Sequence, residues 1–424
     1  MAGFFFVDCK GSKRIDMMPI PRLCKCFISS IRIFCGLMAD WIKAVRIDMP
    51  NGSYERVLVI PCDPWGVVGS RGDQAMILAA MQHCGNAEID ILTDSHETDM
   101  ECRALGLNPI TEWSIPFDVW MKDNAGKYKE VYILGADVTD GVYGWPTAMR
   151  LLMFYDCFYR LGVRTHYLGF SWSKTPSPWM HLVFPLLKRQ LPLPVRDPVS
   201  YERVARFTRH RPLVQVADAA FQLKPSPTSR AQKWIDWCRG QKSSGRRVVA
   251  INIHQMFNDA ETKSVNWEAA FSKCLEEVVK RHLDIIYLLV PHDNRPRVSD
   301  LEILKRINGM LPNSTLIDVV MNADEIKAVL GSCDALIAGR MHISIAALGQ
   351  GVPVVGLVYQ GKFEGLWQFF ELPESLLLGP RVFLMDPQGA IGALDSFVDN
   401  MGSFAASIKK RLPAVMVLSA KNFS

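Results

Sequence analysis

Two side chains able to grip an anion and move a proton stand two positions apart in Gly339-Arg340-Met341-His342. They fall where an apolar strand-like run, Ala335 to Ala338, gives way to an apolar helix-like run, Met341 to Leu348. Neither charge nor imidazole contributes to packing at such a junction. A guanidinium fork suits bidentate contact with phosphate or carboxylate, and an imidazole at a helix start can transfer protons near neutral pH. The competing reading is an Arg closing an internal ion pair and a His held by backbone. Lys362, just after the next apolar run, puts another cation on the same rim.

Three further places carry polar groups at the ends of apolar runs. The loop Gly66 to Asp73 (GVVGSRGD) opens a helix directly after a strand, so the first-turn N–H groups around Gly69 and Gly72 favour an anionic or polar ligand. Asp73 as an ordinary N-cap is the alternative. The glycine spacing is not that of a dinucleotide fingerprint, and the Lys and Ser/Thr of an NTPase phosphate loop are missing. His292 follows the run IIYLLV, at a cleft edge or in a solvated turn. Arg196, in Val195 to Ser200, precedes a helix with Ser200 as its expected cap; it reaches an anion or pairs with Asp197 or another neighbour.

The elements that must position these residues alternate in type. Arg56 to Cys62, Ile89 to Leu92, Val131 to Leu134 and Thr165 to Gly169 read as buried strands, with helices over Asp73 to His83 and Ala148 to Leu161. After a Pro-, Ser- and Arg-rich break at Leu223 to Arg247, the alternation restarts at Val248 and runs to Val358. The expected architecture is α/β, with two doubly wound, Rossmann-like domains facing across a cleft. Its parts are an extension over 1–50, a first domain over 51–222, a linker over 223–247, a second domain over 248–385 and a helical segment over 386–424.

Composition narrows the function. At 424 residues the chain is large enough for two or three cores, and 48 basic against 43 acidic residues leave +5, too mild to argue for nucleic acid. Eleven scattered cysteines without a C-x-x-C pair point to a reducing, cytoplasmic setting, and no Cys or His cluster has zinc-site spacing. No metal and no cofactor are expected. The first 50 residues mix Lys10, Lys13, Arg14, Arg22, Lys25 and Arg32 with short apolar runs, none long enough to span a bilayer. They read as a helix packed on the first domain or as a basic amphipathic helix on the inner face of a membrane.

In this order, the Gly72–Ile77 segment, VRDPVS at 195–200, Ala217-Asp218-Ala219-Ala220-Phe221, PHD at 291–293, GRMH at 339–342 and the run at 349–362 resemble the polysaccharide pyruvyl transferase family. The resemblance spans about residues 56–380. It implies a glycosyltransferase-B-like fold and transfer of pyruvate from phosphoenolpyruvate to a saccharide, free or lipid-linked, as a ketal without a metal. It assigns Arg340 and His342 to the donor site, with Arg196 as a second anion contact. Where family members often carry a run of glycines after the central strand of the first domain, this chain has Gly135-Ala136-Asp137-Val138-Thr139-Asp140-Gly141.

The residues suit that chemistry. A donor with a phosphate and a carboxylate needs two cationic anchors, which Arg340 with Arg196 or Lys362 supplies. His342 is the expected acid for the methylene carbon, and Asp73 or His292 the base for the sugar hydroxyls. Two rivals stand beside this reading: a nucleotide-sugar glycosyltransferase on the same fold, and a non-catalytic sugar- or anion-binding protein.

Overall fold

The computed structural model describes residues 20–48, 55–67, 69–208, 211–254, 266–295, 299–358 and 363–424. Lys362 and residues 1–19 of the extension lie outside them. The first domain is one parallel sheet of β1 (Arg56–Ile60), β2 (Ile89–Thr93), β3 (Asn108–Thr111), β4 (Tyr128–Ala136), β5 (Arg164–Phe170), β6 (Leu193–Val195) and β7 (Leu213–Gln215), in the order β3-β2-β1-β4-β5-β6-β7. Val57 pairs with Ile89 on one side of β1 and Leu58 with Val131 on the other. Helices cover both faces, so β2 is buried along its whole length, and its one charged side chain, Asp90, takes bonds from Arg56, Asn108 and Tyr128.

The second sheet repeats the plan. It holds β8 (Arg247–Asn252), β9 (Ile285–Leu289), β10 (Ser314–Leu316), β11 (Ala335–Ala338), β12 (Val354–Leu357) and β13 (Leu377–Leu378), all parallel, in the order β10-β9-β8-β11-β12-β13. Strand order therefore reverses direction between β1 and β4 in one domain and between β8 and β11 in the other. Such switch points open a crevice at the carboxyl ends of the strands, where α/β proteins bind ligands.

Two connections join the domains. The stretch expected as a linker carries a helix, Ser229–Ser243, whose Ala231, Trp234, Ile235 and Cys238 are buried against the second domain. The residues before it are tied to both domains, Lys224 N donating to Gln82 Oε1 and Ser226 N to Asp324 O, and Thr228 caps that helix through Ala231 N. The second connection is the 34-residue helix Pro387–Ala420, which leaves the second domain and runs back to the first. There Phe423 stacks on His83, their rings 5.0 Å apart. In the extension, Ile20–Ala44 is one helix; its carboxyl half seats Trp41 and Ala44 in the core, with Trp41 Nε1 donating to Asp156 at 3.2 Å.

Candidate active site

The start of the helix Arg71–Cys84, after β1, touches the second domain. Ser70, not Asp73, is its N-cap, its hydroxyl accepting from Asp73 N. Asp73 stands one turn inside with its carboxylate uncommitted to capping, which corrects the N-cap alternative. An isolated antiparallel bridge joins Ser70 to Asp293, Asn294 N donates to Gly69 O at 3.2 Å, and Arg71 N donates to His292 O at 3.3 Å. Arg71 Nε also reaches Met321 O at 2.7 Å. The seam is drawn so tight that a Cβ on Gly69 would lie 2.5 Å from Arg295 Cγ, and one on Gly72 would lie 2.4 Å from His342 Nδ1. Glycine at 72 is what lets the imidazole rest on the helix start.

His342 follows β11 in the first turn of the helix Met341–Leu348, for which Arg340 is the N-cap residue. Its Nε2 is buried, lacks a hydrogen-bond partner among the described residues, and lies 3.5 Å from Asp218 Oδ2. Asp218 also takes a bond from Arg196 Nη1 at 2.9 Å, while Arg196 Nε donates to Ser171 Oγ at 2.6 Å. Burial alone would raise the Asp218 carboxyl, but His342, Arg196 and the Ala220 N–H outweigh it and hold it far below the usual carboxylate range. Asp218 is thus a fixed negative charge joining the imidazole to the guanidinium.

The backbone around Asp218 is clamped from three elements. Ser419 Oγ donates to Asp218 O at 2.7 Å, and Asn422 donates to Ala217 O at 2.8 Å while accepting from Gly169 N at 2.7 Å. From the second domain, Lys327 Nζ donates to Phe221 O at 3.0 Å and Ala220 O at 3.3 Å; burial brings this ammonium down to about 8.

Arg340 is paired internally. Its Nε and Nη2 bind Asp300, at 2.8 and 2.6 Å to Oδ1, and its Nη1 binds Asp293 at 3.0 Å. Asp293 also holds Arg295 at 2.8 Å, and Arg295 crosses the seam to Asp63 at 3.1 Å. Among the described residues, Arg196, Arg295 and Arg340 each face at least one carboxylate. His292 is 4% exposed and kept neutral, well below its ordinary value, by burial and by the charges of Arg340, His342 and Arg71. Burial pushes the Asp73 carboxyl up to about 6 against the pull of Arg295 and His342.

Asp73, Gly69, Gly72, Arg196, His292, Arg340 and His342 therefore converge on one seam at the carboxyl edges of both sheets. Of the partners offered for Arg196, a neighbour, Asp218, is the one found; Asp197 instead caps the helix Pro198–Phe207 through Ser200 N, so Ser200 is not the cap. Beside Arg196 and Met341 lies a cavity of about 10 Å³, also bordered by Phe221, Leu366 and Phe369, which is the scale of a single water. Among the described residues, no group of His, Cys, Asp and Glu is placed to hold a metal ion. The sequence reading gave no role to Asp218, Arg295 or Asp300. Asp218 was visible inside Ala217–Phe221, whereas nothing local marks Asp300.

Comparison with known proteins agrees with this frame. A putative UDP-N-acetylglucosamine 2-epimerase from Listeria monocytogenes superposes with a TM-score of 0.55 at 12% identity, covering 87% of this chain and 94% of that one. The UDP-GlcNAc 2-epimerase from Neisseria meningitidis, solved with UDP-GlcNAc, gives 0.51 at 12% identity, covering 83% and 94%. At such identities the likeness is one of fold, and it makes the two-domain arrangement glycosyltransferase-B-like. The sequence profile for polysaccharide pyruvyl transferase matches residues 71–361, which take in Asp73, Arg196, Asp218, His292, Asp293, Asp300, Arg340 and His342. With well over half its length inside that match, the chain belongs to the polysaccharide pyruvyl transferase family.

Proposed function

We propose that the protein transfers pyruvate from phosphoenolpyruvate to two hydroxyls of a saccharide, forming a ketal. The observation that carries this reading is the linked set Arg196, Asp218 and His342, in which a buried imidazole nitrogen without a hydrogen-bond partner sits beside an ionised carboxylate. Its place beside that carboxylate makes His342 the group positioned to give a proton in the acid half of the reaction. Arg196 and Arg340 are the two anchors for a donor bearing a phosphate and a carboxylate, whose oxygens suit the N–H donors of the guanidinium forks.

In the first step a sugar hydroxyl attacks C2 of phosphoenolpyruvate while the His342 imidazolium protonates C3, leaving a methyl group. Asp73, poised near neutrality, receives the hydroxyl proton. Breaking the C2–O bond expels phosphate. The second hydroxyl then closes on C2 and its proton leaves with the phosphate, so one diol and one donor yield one ketal and one hydrogen phosphate.

The test is mass spectrometry for a pyruvate-sized gain, together with phosphate release, after incubation with phosphoenolpyruvate and a panel of free and lipid-linked saccharides. His342→Ala should cut turnover by roughly a hundredfold to ten-thousandfold with an unchanged thermal melt. Full turnover in that variant, or consumption of a nucleotide sugar in place of phosphoenolpyruvate, would overturn the proposal. Arg340 is the poorer probe, because its removal leaves buried Asp300 without its cation, at a cost of about 3–5 kcal/mol.

A further inference from the structure

The apolar stripe that seats the helix Ile20–Ala44 does not stop where the first domain does. Phe34, Met38 and Trp41 recur at helical spacing and pack on the domain. The same stripe continues toward the amino terminus as Phe27 and Ile31, 52% and 38% exposed, with Ile28 beside them at 50%. A second exposed apolar surface adjoins it. The Phe34 ring is 5.0 Å from that of Trp179, which stacks on Trp145 at 4.8 Å. The short helix Pro178–Val183 that carries Trp179 exposes Leu182, and the turn after it exposes Leu186.

The two segments that build most of this surface carry basic charge only. No acidic residue occurs between Ile20 and Ala39, nor between Cys157 and Arg196. Arg32, Lys174 and Arg189 are exposed, and Arg22 and Lys25 extend the basic pattern in the sequence. Asp140, which meets the loop after β5, is buried and bonded to Ser173 N and Val142 N.

We infer that this surface docks on an anionic lipid bilayer, with the helix lying in the interface. Exposed Phe, Ile and Leu beside half-buried Trp rings and unopposed basic residues are the features by which an interfacial helix binds negatively charged lipid. A second copy of the chain would bring like charges together. No described helix is long and apolar enough to cross a membrane. The loop joining β5 to Trp179 begins at Ser171, the residue that holds Arg196, so docking turns the carboxyl edge of the first sheet toward the lipid. The inference is independent of pyruvyl transfer.

The test is co-sedimentation of the full chain, without donor or saccharide, with vesicles of phosphatidylcholine alone or mixed with phosphatidylglycerol. The protein should pellet with the anionic vesicles and be released by salt. The pair Phe27→Glu and Ile31→Glu should lower partitioning roughly tenfold or more, as should the triple charge reversal Arg32→Glu, Lys174→Glu and Arg189→Glu. Leu283→Glu, on an exposed residue of the second domain, should change nothing. Wild-type protein left in the supernatant, equal pelleting of both patch variants, or patch-dependent self-association without lipid would each overturn the inference.

Discussion

Asp73 sits between two demands, near enough to cations to ionise and buried enough to resist it. Its carboxyl is held up to about 6 from an ordinary 3.8, so between those values the folded protein keeps a proton that the unfolded chain would release. The associated stability is fully present below 3.8 and lost as the pH rises through about 6, which makes the ionised form a cost at neutral pH. Asp73→Asn should therefore leave the melting temperature at pH 7 unchanged or higher while abolishing turnover. In the wild type, kcat/KM should climb with pH through about 6 as the base ionises. A melt lowered by several degrees in the variant, or an activity profile flat across that range, would remove Asp73 from the role of base.

At the scale of elements, the site depends on one helix start meeting another across the seam. Because a Cβ on Gly72 would intrude on His342 Nδ1, Gly72→Ala should displace the imidazole and cost about a hundredfold in turnover, with the fold kept; unaltered kinetics would show the contact to be slack. Much of this was readable in the sequence. Val57 to Ile60 and Ala335 to Ala338 declare themselves as strands because both faces are covered, and Arg340 and His342 stand out because they interrupt apolar packing. The half-exposed edge strand β3, with Pro109 inside it, lacks that signature. Asp300 lies 40 positions from Arg340, and an ion pair at such range leaves no local pattern. The departure from the family's glycine run also has a physical meaning: Ala136, ending β4, adopts a φ of 43°, a left-handed conformation glycine takes without strain.

Across the whole molecule, the helix Pro387–Ala420 ties the last residues of the chain to the segment that orients both His342 and Arg196. Asn422→Ala would leave Ala217 O and Gly169 N without their buried partner. The expected cost is about 1–3 kcal/mol, seen as a lower melting temperature, together with a loss of turnover larger than that of a surface change of equal cost, such as one at Met385. Equal losses for equal destabilisation would make Asn422 a structural residue only.

That tie also sets a timetable. Both sheets are complete once residue 378 has been made, yet the residues that fasten Ala217 and Asp218 are 419 and 422. A nascent chain with both sheets already made would therefore still lack the hydrogen bonds that fix the segment around Asp218 until Ser419 and Asn422 had been added.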